Sequence, residues 1–243
     1  MASTAPATSR IDSLRGGIPC SWRAEHMPAH LRSTEGGVTN RRGQSLSGDE
    51  DTVARTPIIL MGFSLGTLVS LHAALSHTHA VQALVLAAPA VSAEWTLALR
   101  VMTWVIKPLA LLAPTARVVP GVNHEWICRD PAFMASYDGD PLNVTGNVTA
   151  RMGEQLLNAM DAVEQNREVE QPDSAFCATP ILFMMGSSDK VTSVPLAQAF
   201  YARIASRDKE FKLFDGPFHS VFDDPDKDAV FDHLLAWLHA RFP

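Results

Sequence analysis

Residues Pro57–Leu71, PIILMGFSLGTLVSL, join an apolar run, a G-x-S-x-G turn and a helical pattern without a break. Ile58, Ile59, Leu60 and Met61 read as a strand buried on both faces, as in a parallel sheet. Leu65, Leu68, Val69, Leu71 and His72 then follow a helical period. Ser64 lies where the strand hands over to the helix, which is the context a nucleophile turn requires. Gly62 and Gly66 occupy the two places where a side chain is expected to obstruct so sharp a bend. The turn would lift the hydroxyl clear of the sheet and aim the Leu65 N–H at an oxyanion. The same residues also suit a glycine-rich strand–helix turn with a capping serine.

A serine hydroxyl is a weak nucleophile at neutral pH and needs a base, which in turn needs an orienting acid. In a doubly wound α/β sheet these stand beyond the carboxyl ends of later strands, in the order Ser, Asp, His. Thr179–Met185, TPILFMM, reads as a buried strand, and Gly186-Ser187-Ser188-Asp189 follows it. Glu210–Phe214, EFKLF, reads as another, followed by Asp215-Gly216-Pro217-Phe218-His219. Asp189 would fix the imidazole of His219, and His219 would take the Ser64 proton. Taken singly, Asp189 could be a turn acid and His219 a solvated loop histidine. Asp223 and Asp224 compete as orienting acids, but standing after the base they fit the start of a last helix over Asp228–Arg241 better.

From Thr56 to Pro243 the chain resembles the monoacylglycerol lipase and lysophospholipase branch of the α/β-hydrolase fold, the serine aminopeptidase S33-like hydrolases. The resemblance rests on PIILMGFSLGTLVSLHAAL, VQALVLAAPAV, DPAFMASYDGDPLNVTGNVTAR, TPILFMMGSSDKVTSV and DGPFHSVFDDP. It implies a mostly parallel sheet with helices on both faces and a helical cap. It also implies a serine ester hydrolase acting on fatty-acyl esters such as monoacylglycerols or lysophospholipids. The catalytic residues would be Ser64, Asp189 and His219, with Leu65 as an oxyanion donor and no cofactor. Family members usually carry His before the serine and Met after it, where this chain has Phe63 and Leu65. A carboxylesterase, thioesterase or peroxidase-like hydrolase could use the same triad. An epoxide hydrolase or dehalogenase would need Asp at position 64.

Such hydrolases place several strands before the nucleophile, whereas Met1–Phe63 shows no strand pattern before Ile58. Residues 1–55 therefore read as a disordered or non-homologous leader, and 56–243 as the hydrolase core. Arg41–Gly48, RRGQSLSG, faintly matches an early turn of the family, but the His-Gly loop that supplies a second oxyanion N–H is lacking. With its upstream strands missing, Ile58–Met61 would become an apolar edge. A truncated, non-catalytic hydrolase fragment is the alternative function.

Residues 91–173 are too long for a simple crossover and read as the cap. Glu94–Ala113 is strongly apolar, with Trp95, Leu99, Met102, Trp104, Val105, Ile106, Leu109 and Leu112, but Arg100, Lys107 and Pro108 interrupt it. It suits a lid helix or an ordinary buried helix, not a membrane span. The resemblance favours the lid, with a hydrophobic acyl tunnel and transient membrane contact. Ala150–Gln165 reads as a second helix with Met152, Leu156, Leu157 and Met160 on one buried stripe. Asp130 and Asp138 read as turn residues of the cap.

The net charge of −6 gives no electrostatic reason to expect nucleic acid as a partner. Cys20, Cys128 and Cys177 lack C-x-x-C spacing and read as free thiols in a reducing compartment, which favours the cytoplasm. His72, His77 and His79 do not stack on one helical face and read as exposed helix-end residues. His124-Glu125 lacks the second histidine of a zincin helix, so no metal site is expected. The sequons at Asn143 and Asn147 matter only in a secreted chain, and no apolar h-region opens the sequence. Its Arg-, Ser- and Ala-rich start could also pass for an organelle transit peptide.

Overall fold

The computed structural model describes residues 57–93 and 97–243. The leader, the Arg41–Gly48 segment, Cys20 and Trp95 lie outside the described residues. Strand β1 (Ile59–Phe63) leads through Ser64 into helix α1 (Leu65–Leu75) and then β2 (Ala83–Ala87). A long insertion follows before β5 (Ile181–Gly186), α5 (Val194–Arg203), β6 (Lys209–Phe214) and α6 (Lys227–His239). The four strands lie in the order β1-β2-β5-β6, and every pair is parallel.

Alternation along the two central strands sends side chains to opposite faces. Leu84 and Leu86 of β2, with Ile181 and Phe183 of β5, pack on Leu68 and Leu71 of α1 and Phe200 of α5. Ala83, Val85 and Ala87, with Leu182 and Met184, pack on Val230, Phe231, Leu234 and Trp237 of α6. The three- and four-residue spacing of these α6 residues makes one helical stripe. Helices therefore cover both faces, as an α/β class demands.

β1 departs from the two-face burial that its apolar run suggests and has the exposed apolar edge expected of it without an upstream neighbour. It is not buried on both faces: Met61 is 40 % exposed, and Ile58 just before it 53 %. Among the described residues β1 pairs with β2 alone and forms the edge of the sheet.

The insertion carries α2 (Leu97–Leu112), β3 (Arg117–Val119), α3 (Pro131–Gly139), β4 (Val148–Thr149) and α4 (Ala150–Gln165). α2 continues through Pro108, which has no N–H to donate back along the helix. It is no ordinary buried helix. Ile106 and Ala110 are buried, but Trp104 and Leu112 are each 82 % exposed. In α4 the inward stripe is Gly153, Leu156, Met160 and Val163, while Met152 points outward. Gly153 is needed because a Cβ there would fall on the Val119 side chain of β3. The short antiparallel β3–β4 pair had no alternating pattern long enough to reveal it. Asp130 and Thr149 cap α3 and α4, accepting from Ala132 N (2.8 Å) and Met152 N (3.2 Å).

Candidate active site

Ser64 follows the last residue of β1, Asp189 lies three residues beyond β5, and His219 five beyond β6. All three therefore gather at the carboxyl edge of the sheet, where open α/β sheets bind ligands. Ser64 turns the chain with φ 51° and ψ −120°, a conformation that costs a non-glycine residue on the order of 1–3 kcal/mol. Three bonds hold the turn. Ser64 N donates to Ala87 O at the end of β2 (2.9 Å), and Thr67 N donates to Ser64 O (3.0 Å). The Thr67 hydroxyl also donates to Ser64 O (2.6 Å) while accepting from Ala90 N (3.0 Å).

The two glycines of the turn differ. A Cβ on Gly62 would fall on the Gly66 carbonyl and within 2.7 Å of Ser70 Oγ, so its side-chain space is already filled. A Cβ on Gly66 would meet nothing within 4 Å. The bend requires only the first of them to lack a side chain. Leu65 is the first residue of α1, so its N–H has no acceptor within the helix.

The side chains of Ser64, His219 and Asp189 form one hydrogen-bonded line. Ser64 Oγ lies 2.8 Å from His219 Nε2, and His219 Nδ1 lies 2.9 Å from Asp189 Oδ2. The pattern assigns the proton to Nδ1, leaving Nε2 free to accept from the serine hydroxyl. His219 and Asp189 have side chains 6 % and 0 % exposed. The Phe63 ring packs 5.1 Å from the His219 ring.

Burial pushes the Asp189 carboxyl pKa upward. The hydrogen bond and charge of His219, with the Thr192 N–H and hydroxyl, outweigh that and hold it below the ordinary carboxylate range. Val191 N (2.7 Å) and Thr192 N (2.9 Å) reach one carboxylate oxygen, and Thr192 Oγ1 reaches the other (2.7 Å). Asp189 is thus held ionised beside the imidazole. The D-x-x-T spacing is the sequence sign of Thr192, as S-x-x-T is of Thr67.

Several other residues stand elsewhere than expected. Asp223 and Asp224 neither orient His219 directly nor cap the last helix, whose N-cap is Asp226. Asp223 accepts from the Ser220 hydroxyl (2.5 Å), and burial raises its pKa. Asp224 pairs with Arg129. His72 is half-buried and bonds through Nε2 to Ala159 O of α4 (3.0 Å), while His77 pairs with Glu168 (2.9 Å). Asp138 lies in α3 and faces His124 at 3.6 Å. Cys128 and Cys177 are free and buried. A cavity between α2 and α4 is lined by Thr103, Ile106, Lys107, Glu154, Leu157, Asn158 and Asp161. None of the three aligned residues borders it, and its charged wall suits neither an acyl chain nor the chemistry at Ser64.

A parallel sheet clothed on both faces, with Ser, Asp and His in that order beyond three of its strands, defines an α/β-hydrolase. Residues 47–226 match the family described as Serine aminopeptidase, S33. The chain belongs to that family. It is 28% identical over 182 residues to a monoacylglycerol lipase of Mycolicibacterium smegmatis, covering 75% of this chain and 62% of that protein. It is 24% identical over 230 residues to phospholipase YtpA of Bacillus subtilis, covering 89% and 86% respectively. A soluble variant of monoglyceride lipase from Saccharomyces cerevisiae, solved with a substrate analogue, shares the fold. Its TM-score is 0.67 at 22% identity, over 78% of this chain and 64% of that one.

Proposed function

We propose that the chain is a serine ester hydrolase that cleaves fatty-acyl esters such as monoacylglycerols or lysophospholipids. The observation that carries this reading is the hydrogen-bonded line Ser64–His219–Asp189. His219 Nε2 takes the Ser64 proton as Oγ attacks the ester carbonyl. The Leu65 N–H stabilises the tetrahedral oxyanion. Asp189, ionised and buried, stabilises the imidazolium that forms. His219 then protonates the leaving alcohol, and the Oγ acyl-enzyme remains. Water activated by the same imidazole attacks it, releasing the fatty acid and restoring Ser64. Each step conserves charge between the Asp189–His219 pair and the oxyanion, so the chemistry calls for no cofactor.

An apolar acyl chain is the substrate part that the insertion suits. Residues 91–173 act in this reading as a cap on a core of residues 56–243. Trp104, Val105, Leu111 and Leu112 on α2, with Val122, Leu142 and Val144, offer exposed apolar surface for transient contact with lipid. Among the described residues no helix is long and apolar enough to cross a membrane. In this reading the protein is cytoplasmic and makes transient contact with membranes through the cap.

Hydrolysis of 1-monoacylglycerols, lysophosphatidylcholine, p-nitrophenyl esters and acyl-CoA, each across chain lengths, tests the substrate class. Preference for long-chain glycerol or glycerophospho esters supports the reading. A preference for acetyl aryl esters or for acyl-CoA would replace it with a carboxylesterase or thioesterase.

A further inference from the structure

His219 stands in a loop, residues 215–226, that is fastened on two sides. On the sheet side, Ser188 N donates to Pro217 O (3.1 Å), and a Cβ on Gly186 would fall on the same carbonyl. On the other side the loop meets residues 126–129 of the insertion. His219 N donates to Trp126 O (3.4 Å), Ser220 N to Ile127 O (2.7 Å) and the Cys128 thiol to Asp223 O (3.3 Å).

Arg129 completes this second fastening. Its Nε donates to Asp224 Oδ2 (2.9 Å), and its Nη2 to Asp224 Oδ1 (2.5 Å) and to Asp226 Oδ2 (2.6 Å). The Asp224 side chain is fully buried, whereas those of Arg129 and Asp226 are 31 % and 62 % exposed. Asp226 N (3.1 Å) also donates to Asp224, and the Phe218 N–H faces the same carboxylate. Burial tends to raise the Asp224 pKa, but the Arg129 hydrogen bonds prevail and keep it low. Phe218 immediately precedes His219. The guanidinium also packs against Gly216 (φ 102°), where a Cβ would lie 3.0 Å from Nη1. A buried carboxylate stays ionised only with a paired charge and good hydrogen bonds.

We propose that Arg129, acting through Asp224, is a positioning residue that sets His219 between Ser64 and Asp189. The inference rests on the triad reading above. Without the guanidinium, Asp224 must take up a proton or admit water. Either change loosens the Arg129–Asp224–Asp226 tie and the guanidinium's contact with Gly216 in the loop that carries His219, and lets the imidazole drift from Ser64 Oγ. Substrate binding is not touched. A mere brace between insertion and core would change stability and leave the imidazole where it is.

The test uses the full chain with Arg129→Gln, Arg129→Lys and Asp224→Asn. One readout is the downfield proton resonance of the His219 Nδ1–H bonded to Asp189, assigned by its loss in His219→Ala. The other is the rate of fluorophosphonate labelling at Ser64. In Arg129→Gln the resonance should shift or broaden, and labelling should slow by about 10- to 100-fold well below the melting temperature. KM for a short ester should change by less than about twofold, and Arg129→Lys should recover part of both signals. Folded Arg129→Gln with the wild-type resonance and labelling rate overturns the proposal, whatever its melting temperature. If Arg129→Gln fails to fold, Arg129→Lys carries the test: partial loss of both signals supports the proposal, and wild-type values on both overturn it. A wild type whose resonance depends on Arg129 but which takes no adduct keeps the positioning role and removes the catalytic reading.

Discussion

β5 and β1 each deliver a residue to the candidate site, yet all six residues of β5 are buried while Met61 in β1 is 40 % exposed. β5 lies between β2 and β6, and its side chains alternate between two apolar clusters. Asp189 therefore inherits its place from a strand locked on every side. Ser64 has less such support from β1, which among the described residues pairs with β2 only and whose Ile59, Leu60 and Phe63 are partly buried. Its position is taken from β2 instead, through Ala87 O, and through Thr67, which bridges Ser64 O to Ala90 N just beyond β2. The acid combines a buried strand with hydrogen bonds of its own, the nucleophile relies on hydrogen bonds to β2 and Thr67, and the two should fail in different ways.

Asp189→Asn should break the site most severely. The amide favours the wrong imidazole tautomer, so kcat for a short ester should drop by about 10⁴ with little change in KM. The folds of the two strands separate next. Phe183→Ala empties a site among Phe200, Tyr201 and Phe211 and should cost about 3–5 kcal/mol in urea unfolding. Met61→Ala on β1 should cost under about 1 kcal/mol. Equal losses would mean that β1 is as well covered as β5.

Thr67→Val sharpens the contrast from the other side. It leaves Ala90 N without its acceptor and should cost about 1–3 kcal/mol, with activity falling before the fold does. Gly66→Ala should be the mildest change. Its Cβ meets no atom and it lies in α1, so stability should rise by up to about 1 kcal/mol. Gly62→Ala, whose Cβ falls on the Gly66 carbonyl, should lower both activity and stability.

Acid titration offers a gentler probe. Asp189 and Asp224 have folded pKa values below the ordinary range, so each adds stability above the unfolded value of about 3.9. That stability is lost as pH falls through the folded values. Asp223, raised by burial, acts with the opposite sign: its contribution is present at low pH and lost as pH rises through its folded value. Urea midpoints of Asp224→Asn against pH should show a flatter acid limb than wild type.

Much of this was legible in the sequence because it depended on local order. An apolar run, then Gly-x-Ser-x-Gly, then a helical period specifies one turn, and each later strand was followed at once by its polar residue. The α4 boundaries, Ala150–Gln165, were legible for the same reason. Burial was legible for β5, whose apolar run is buried throughout, but for β1 it depends on which strands meet. The apolar run at Ile58–Met61 suggests core on both faces, and only the lack of an upstream strand pattern points to the exposed edge where Ile58 and Met61 lie. Asp224 was beyond reach because its partner Arg129 stands 95 residues away and no spacing rule links the two. The half-buried place of His72 has a similar cause, its acceptor on α4 lying 87 residues on.

The most direct test is to react purified protein with a fluorophosphonate and record the intact mass, alongside Ser64→Ala. The account predicts a single adduct on the wild type and none on the variant. Folded wild-type protein that takes no adduct, or a variant that still takes one, would contradict the assignment of Ser64 as the nucleophile.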